Sequence, residues 1–361
     1  MRIVDAEIRV HDLPLRKVFK NSLASKDTQK SLVLILTTDE GLRGFSSVEP
    51  DTPNYSEETW YEIKETVLRE FVPILLAEDP QDIHSINTWM EAKVYGHYMS
   101  KSLVETALYD LSAKHQKTQI YRMLGGTTPK PIPLIGWVGI SSDNQRVDET
   151  SQFLDQGFGC IKYKIDSDIE GTAEFISEVR RQLGHGFEIR LDANQSLNGS
   201  LSRKLIEKLE RFEISLLEQP INRDDLEGMA FITHDSTIPI MADESASSIM
   251  AVRNLIWTHA CNIIKVKVMR SGGIDATRLI VSMAKANGMK CVIGNGFSTS
   301  IGTSIEANFY LGSQPLEKYA EFVGPLKLKE DIVAKPIKIE KGMLIPLEGY
   351  GFGYDYNDLK F

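Results

Sequence analysis

The first fifty residues of the chain contain short runs typical of β-strands, and the first run alternates between apolar and polar side chains with a two-residue period. Three such runs lie at residues 2–10, 32–38 and 45–49, and a turn marked by Gly41 and Gly44 separates the last two. Alternation with this period is typical of strands that bury one face against a core. The pattern therefore predicts a small sheet at the start of the chain.

Helical spacing replaces this alternation after the third run. Apolar side chains recur every three or four residues in a first helical segment, at Trp60, Ile63, Val67, Phe71 and Ile74. Asn54 and Glu57 have the spacing of a helix capping box, and a second helix is predicted over 101–115. Glycines and prolines between 125 and 133 end this region. We expect residues 1–127 to form an N-terminal α+β domain.

Further along the chain, short apolar runs alternate with helix-sized segments. The eight runs lie at 132–139, 159–165, 187–192, 214–218, 238–242, 262–268, 290–294 and 318–322. Alternation of strands and helices is typical of parallel sheets, and eight repeats favour closure into a barrel. We therefore predict an α/β fold in which residues 128–325 form a (β/α)8 barrel and residues 1–127 a capping domain. The last segment, 326–361, returns to a mixed pattern of strands and turns.

The charge and the hydropathy of the chain argue against two classes of partner. The 361 residues carry 41 Lys and Arg against 50 Asp and Glu, and this formal charge of −9 argues against nucleic-acid binding. No run approaches the ~18 consecutive apolar residues of a membrane span, and the first residues lack the pattern of a secretory signal. Three widely spaced cysteines, Cys160, Cys261 and Cys291, predict neither a disulfide framework nor a cysteine zinc site. We expect a cytoplasmic protein.

Charged side chains occupy equivalent places on five successive predicted strands. They are Lys162 with Lys164, then Asp192, Glu218, Asp243, and Lys265 with Lys267. Their spacings from Lys164 to Lys267 are 28, 26, 25 and 24 residues, each about one strand–helix unit. One such residue alone is usually a solvated charge or a turn former. Five in register converge on the mouth of a barrel, where the active sites of this fold lie.

The three carboxylates of this set, Asp192, Glu218 and Asp243, would repel one another without a cation. Oxygen ligands without cysteine or paired histidines favour Mg²⁺, with Mn²⁺ as a substitute, over zinc. Lys162 and Lys164 face the same way on one strand. We expect their ammonium groups to lower each other's pKa, which would leave a lysine able to act as a general base.

With these motifs the sequence resembles the enolase superfamily and, within it, the muconate-lactonizing-enzyme subgroup. The matching segments are the Lys-x-Lys pair at 162–164, DANQ from Asp192, EQP from Glu218, ADES around Asp243, and Lys267 separated by VMRS from Gly272-Gly273. The lysine on the sixth strand distinguishes the chain from the mandelate racemase branch, which uses a His–Asp dyad. The resemblance covers nearly the whole chain and implies that the C-terminal segment, 326–361, returns to the cap.

The resemblance also implies a role for each residue of the set. Lys164 and Lys267 would be the acid/base groups on opposite faces of the substrate, Lys162 would tune Lys164, and Asp192, Glu218 and Asp243 would bind Mg²⁺. The implied reaction removes the proton α to a carboxylate of a small substrate through an enediolate intermediate, whose charge Mg²⁺ offsets. Members of this family are commonly homo-oligomers, so a dimer or an octamer is expected.

This chemistry is compatible with several overall reactions. Return of the proton to the opposite face gives racemisation or epimerisation, whereas a leaving group in the β position gives a lyase reaction, either cycloisomerisation or dehydration. A non-catalytic binding barrel is a weaker alternative because every motif position is intact. A zinc hydrolase is weaker still, since no histidine pair with ligand spacing lies at the strand ends.

Five residues are the candidates for substrate binding: Phe19, Tyr55, Asn295, Glu321 and Phe322. Phe19 and Tyr55 lie in two expected cap loops, at about 15–30 and 50–56. Dipeptide epimerases of the subgroup carry Asp-x-Asp on the eighth strand. This chain has Glu321 with a valine two residues later, which weakens the dipeptide epimerase interpretation.

The segment 95–101 resembles the branch of the family that acts on proline derivatives. It favours a proline-like or N-substituted amino acid, with the rings of Phe322 and Tyr55 facing a cationic ring nitrogen. Asn295 stands where betaine epimerases of this branch carry an aspartate. This departure argues against a quaternary ammonium substrate.

Overall fold

The computed structural model describes residues 1–20, 25–50, 57–313 and 316–360. Two predictions fall outside these ranges: the capping residue Asn54 and the pocket residue Tyr55.

The N-terminal region forms a three-stranded antiparallel sheet. Its strands, in spatial order, are β1 (Ile3–Lys20), β2 (Ser25–Thr38) and β3 (Arg43–Val48). We predicted a cap loop at about 15–30. The described residues of this range instead belong to β1 and β2, which extend into a long hairpin. Its pairing slips between Pro14 and Phe19, and resumes where Phe19 pairs with Lys26. This hairpin carries Phe19 toward the barrel.

Helices of the cap follow this sheet. They are α1 (Trp60–Thr66), a π-helical turn (Val67–Phe71), α2 (Val72–Leu75), α3 (Ile83–Lys93), α4 (Tyr98–His115) and α5 (Ile120–Met123). α1 and α4 contact strands of the sheet, and α1 begins at a capping box between Thr59 and Glu62. α4 matches the helix predicted over 101–115, and its apolar residues Leu103 and Leu111 are fully buried.

Seven strands of the barrel lie side by side in one parallel sheet. In order they are β5 (Gly136–Val138), β6 (Cys160–Lys164), β7 (Glu188–Asp192), β8 (Ile214–Glu218), β9 (Ile240–Ala242), β10 (Ile263–Val266) and β11 (Lys290–Ile293). A short strand, β4 (Ile132–Pro133), precedes them. The predicted α/β barrel is confirmed.

The eighth barrel segment closes the ring without forming a full strand. The amide of Glu321 donates to the carbonyl of Ile293 on β11 at 2.9 Å. On the other side, Ala320 bridges Leu134 and its amide donates to the carbonyl of Pro133 at 2.9 Å. The predicted strand at 318–322 is therefore reduced to a few bonds on each side, which suffice to place Glu321 in the barrel mouth.

Helices separate the barrel strands on the outside. They are α6 (Asp143–Asp155), α7 (Ile169–Leu183), α8 (Gly199–Leu209) with a 3₁₀ turn (Glu210–Phe212), α9 (Leu226–Asp235), α10 (Ile249–Thr258), α11 (Val268–Ser271), α12 (Ile274–Ala286), α13 (Ser300–Gly312) and α14 (Gly324–Lys327). Among the described helices, none is both long and apolar enough to cross a membrane.

The C-terminal segment contacts both the barrel and the cap. Its strands β12 (Ile339–Glu340) and β13 (Met343–Leu344) pair with each other, and β13 also pairs with β4. A 3₁₀ turn (Tyr356–Asp358) follows them. The buried carboxylate of Asp110 on α4 accepts the amides of Phe352 at 3.1 Å and Phe45 at 3.0 Å. One side chain thus ties the tail to the first sheet of the cap.

Candidate active site

The barrel mouth opens into a cavity of about 490 Å³ that the cap covers. The cap contributes the end of β1 up to Phe19, and the barrel contributes the carboxyl ends of its strands. Lys164, Asp192 and Glu218 are the last residues of β6, β7 and β8. Parallel strands end at the same edge, so strand geometry alone brings these charged side chains together.

The lysine pair on β6 faces this edge. The Lys162 Nζ atom lies 3.2 Å from Asp192, 3.0 Å from Glu218 and 2.6 Å from Glu321. The Lys164 Nζ atom lies 2.7 Å from Asp192 and also donates to the side-chain oxygen of Asn194. The prediction that the two lysines point the same way is confirmed, because both contact Asp192.

The second lysine pair enters from β10 on the other side. The Lys265 Nζ atom lies 2.7 Å from Glu218, 2.7 Å from Glu321 and 3.5 Å from Asp243. The Lys267 Nζ atom lies 2.9 Å from Asp243. Lys164 and Lys267 therefore contact the two outer members of a row of three carboxylates, Asp192 and Asp243, with Glu218 between them.

The three carboxylates offer the donors that a hard divalent cation binds. All three are at most 1% exposed, and each contacts an ammonium group that also contacts its neighbour in the row. In the described ranges, no three Asp, Glu, His or Cys residues are already gathered as a metal site, since the lysines stand between the carboxylates. The donor set, oxygen only and strongly anionic, fits Mg²⁺.

The charges of the site shift the pKa of its members in different directions. Burial raises the pKa of Asp192, but Lys164 and Lys162 outweigh burial and hold it at about 2. Burial and then the charge of Asp192 raise the pKa of Glu218 to about 8, although Lys162 and Lys265 oppose that shift. This repulsion between buried carboxylates is what an added cation would relieve.

Lys162 and Lys267 differ in the direction in which their pKa is shifted. Burial lowers the pKa of Lys162, yet Glu218 and Glu321 reverse that shift and leave it above its ordinary value. The expectation that the lysine pair lowers the pKa of Lys162 is therefore wrong, because the sequence did not reveal how many carboxylates surround it. Burial lowers the pKa of Lys267 to about 8, although Asp243 opposes the shift. Lys267 is thus the more easily deprotonated of these two.

Glu321 lines the cavity and forms ion pairs through both of its carboxylate oxygens. One oxygen accepts from the buried guanidinium of Arg190 at 2.9 Å, and the other contacts Lys162 and Lys265. Burial raises the pKa of Glu321, but these three cations, led by Lys162, hold it well below its ordinary value. Glu321 therefore stays ionised and positions two of the site lysines.

Replacing Glu321 by glutamine should strongly destabilise the fold. The change leaves three buried cations without their shared carboxylate, and breaking a buried ion pair typically costs about 3–5 kcal/mol. Urea unfolding monitored by circular dichroism measures the loss in free energy of unfolding. The control is Glu178→Gln on α7, where the exposed pair with Arg181 should contribute almost nothing. Equal losses in both variants would contradict the assignment.

Three of the five predicted substrate-binding residues line the cavity, namely Phe19, Asn295 and Glu321. Phe322 does not, so that prediction is wrong. Its side chain is fully buried, and its ring packs edge-on against Tyr310 at 6.4 Å. Successive residues in an extended segment point to opposite sides, so Glu321 faces the mouth and Phe322 faces the surrounding helices. Tyr55 lies outside the described residues.

Other polar residues of the site were not predicted from the sequence. The side-chain amide of Asn194 donates to Glu244 at 3.2 Å, and Arg270 lies 2.6 Å from Asp243. Asn194 and Glu244 belong to the DANQ and ADES segments, so their place beside the carboxylates was a usable signal. Lys327 on α14 also lines the cavity, and no motif of the sequence marks it.

Comparison with known proteins gives matches over nearly the entire chain. The family model described as "Mandelate racemase / muconate lactonizing enzyme, N-terminal domain" matches residues 3–125. The model described as "Enolase C-terminal domain-like" matches residues 145–360.

The relatives include a racemase and two epimerases. N-succinyl-L-Arg/Lys racemase from Bacillus cereus is 27% identical over 92% of this chain and 90% of its own. L-Ala-D/L-Glu epimerase from Bacillus subtilis is 30% identical over 92% of this chain and 91% of its own. The solved structure of the dipeptide epimerase from Enterococcus faecalis with Mg and L-Leu-L-Tyr superposes with a TM-score of 0.92 at 26% identity, covering 98% of this chain and 99% of that one.

Proposed function

Because the chain belongs to the mandelate racemase / muconate lactonizing enzyme family of the enolase superfamily, we propose that it is a Mg²⁺-dependent racemase or epimerase. The substrate is an amino-acid derivative, proline-like or N-substituted, that loses and regains the proton α to its carboxylate. The observation that carries this proposal is the placement of Lys164 and Lys267 at the two ends of one carboxylate row in one covered cavity.

Two lysines on opposite sides of the bound α-carbon are what inversion requires. One amine removes the proton, and the ammonium group on the other side returns a proton to the opposite face. Lys267 can act as the base near neutral pH because its pKa lies at about 8. Lys162 touches neither face in this scheme, and it positions Lys164 by holding Asp192, which Lys164 also contacts.

The carboxylates Asp192, Glu218 and Asp243 are the residues that would hold Mg²⁺. When bound there, Mg²⁺ supplies positive charge beside the substrate carboxylate and so lowers the cost of removing the α-proton. The cap limits the access of water to the site, with Phe19 among the cap residues that line the cavity. The magnesium in the related dipeptide epimerase structure supports this choice of metal.

A lyase reaction on the same site is the second candidate. The family model itself is named for muconate lactonizing enzyme as well as for a racemase, and a substrate with a β leaving group would follow the same first step. A dipeptide is a less favoured substrate. On the eighth segment, Val323 occupies the position where a second acidic residue would contact the substrate amine.

Deuterium exchange separates these outcomes. The purified protein with Mg²⁺ in D₂O is given N-acyl amino acids, proline derivatives, dipeptides and muconate in separate reactions, which are followed by mass spectrometry and polarimetry. We expect a gain of about one dalton together with inversion in an amino-acid derivative. Loss of water, or a lactone without exchange, would overturn the epimerase proposal in favour of the lyase.

A further inference from the structure

Lys327 is a cavity lysine that the proposed reaction does not use. It ends the short helix α14, directly beyond the eighth barrel segment, and lines the same cavity as Lys164. Its Nζ atom lies 4.6 Å from the ring centre of Phe297, 4.8 Å from that of Trp137 and 5.9 Å from that of Phe19. Three aromatic rings therefore surround this amine.

The charges that most affect the pKa of Lys327 are those of other lysines. Lys162, Lys164 and Lys265 of the same cavity each contact at least one carboxylate, whereas Lys327 has no carboxylate partner within the described ranges. Burial lowers the pKa of Lys327 well below its ordinary value, and repulsion from Lys162 and Lys164 adds to this shift. Lys26, 3.8 Å from the centre of the Phe297 ring, is a further cation near it.

We propose that Lys327 binds a second anionic group of the substrate, a carboxylate remote from the carbon that exchanges its proton. An anion beside the amine would restore its protonated form and offset the repulsion from the other lysines. A carboxylate also pairs more strongly with an ammonium group in an apolar, ring-lined pocket than in water. The inference rests on the proposed function, because it names the substrate class of that same site.

The distance between Lys164 and Lys327 limits how far the second carboxylate of such a substrate lies from its reacting end. The Nζ atoms of Lys164 and Lys327 lie 6.0 Å and 5.9 Å from the centre of the same Phe19 ring. The two amines are therefore at most about 12 Å apart. A short apolar spacer against Phe19 joins the two carboxylates. The class is an N-acylated amino acid with a carboxylate at the end of its acyl chain or of its side chain.

Matched acid and amide substrates test this assignment. One pair, N-succinyl-alanine against its terminal amide, places the second carboxylate on the acyl chain. The other pair, N-acetyl-glutamate against N-acetyl-glutamine, places it on the side chain. In the wild type with Mg²⁺, we expect kcat/KM for α-deuterium exchange to favour the acid of one pair by about 10- to 100-fold, the usual range for a charged hydrogen bond.

Lys327→Met should remove this preference while leaving the reaction itself intact. We expect kcat/KM for the favoured acid to fall by about 10- to 100-fold, mainly through KM, and that for the matched amide to change by less than about twofold. Lys327→Arg should keep part of the preference. The control is Lys329→Met, an exposed lysine two residues away, which should behave as the wild type. An equal loss for acid and amide in Lys327→Met would overturn the proposal.

Calorimetric binding of the same four compounds keeps this inference separate from the proposed reaction. If the wild type binds one acid more tightly than its amide, and Lys327→Met does not, the anion site stands even when no compound exchanges its proton. The proposed function alone would then fail. If acids bind no more tightly than amides, the anion site is overturned whatever the exchange assay shows.

Discussion

We expect Lys164→Ala and Lys267→Ala each to abolish interconversion of the two stereoisomers in both directions. Each variant keeps one lysine, so each should still exchange the α-proton of one stereoisomer only, and the two variants should differ in which one. Loss of a positioned acid/base group typically lowers the rate by about 10²- to 10⁴-fold. Exchange of each pure isomer in D₂O, followed by proton NMR, measures this directly.

The structure provides a reason to expect both variants to fold. Asp243 keeps Arg270 at 2.6 Å when Lys267 is removed, and Asp192 keeps Lys162 at 3.2 Å when Lys164 is removed. Neither carboxylate is left without a cation, so the free energy of unfolding should change little. Lys329→Ala, outside the cavity, is the matched control. Loss of exchange for the same isomer in both variants would contradict the two-sided arrangement.

Removal of divalent cations is the second change with a large expected effect. Chelation should lower exchange by at least about a hundredfold, because the charge that stabilises the deprotonated substrate is worth several kcal/mol. Added Mg²⁺ should restore the activity fully and Mn²⁺ at least in part. The lysines that stand between the carboxylates without metal, Lys162 and Lys265, keep the site charge-compensated, so the fold should survive chelation.

Direct binding of Mg²⁺ provides a measurement that does not depend on turnover. Calorimetric titration should show one Mg²⁺ per chain, weakened by Asp192→Asn, Glu218→Gln or Asp243→Asn. Asp148→Asn on α6, outside the carboxylate row, is the control and should bind as the wild type does. Equal Mg²⁺ affinity in all of these variants, or full exchange in the presence of chelator, would contradict the assignment of the three carboxylates.

Periodicity was enough to predict the barrel because each strand and helix buries a regular apolar pattern. The charged residues followed from the same regularity, since a side chain at the end of each strand must face the mouth. Lys164, Asp192 and Glu218 could therefore be placed from their spacing alone. The eighth segment was harder, because bonds at Ala320 and Glu321 close the ring without a full strand.

Features that depend on contacts across the chain could not be predicted in this way. Phe322 points away from the cavity because of the orientation of the eighth segment, and the sequence does not reveal this orientation. The raised pKa of Lys162, against the effect of burial, comes from carboxylates on other strands, Glu218 first and then Glu321. Lys327 belongs to no motif, and only the fold brings it to the cavity that Lys164 lines.

The central claim is that two opposed lysines move a proton across the α-carbon. The most direct test is an early time course of the wild-type protein with Mg²⁺ in D₂O, starting from one pure stereoisomer of the substrate. Two-sided transfer predicts that the inverted product carries deuterium while the remaining substrate still carries mostly protium. Protium retained in the inverted product would show that a single group carries the proton across, and would contradict the account.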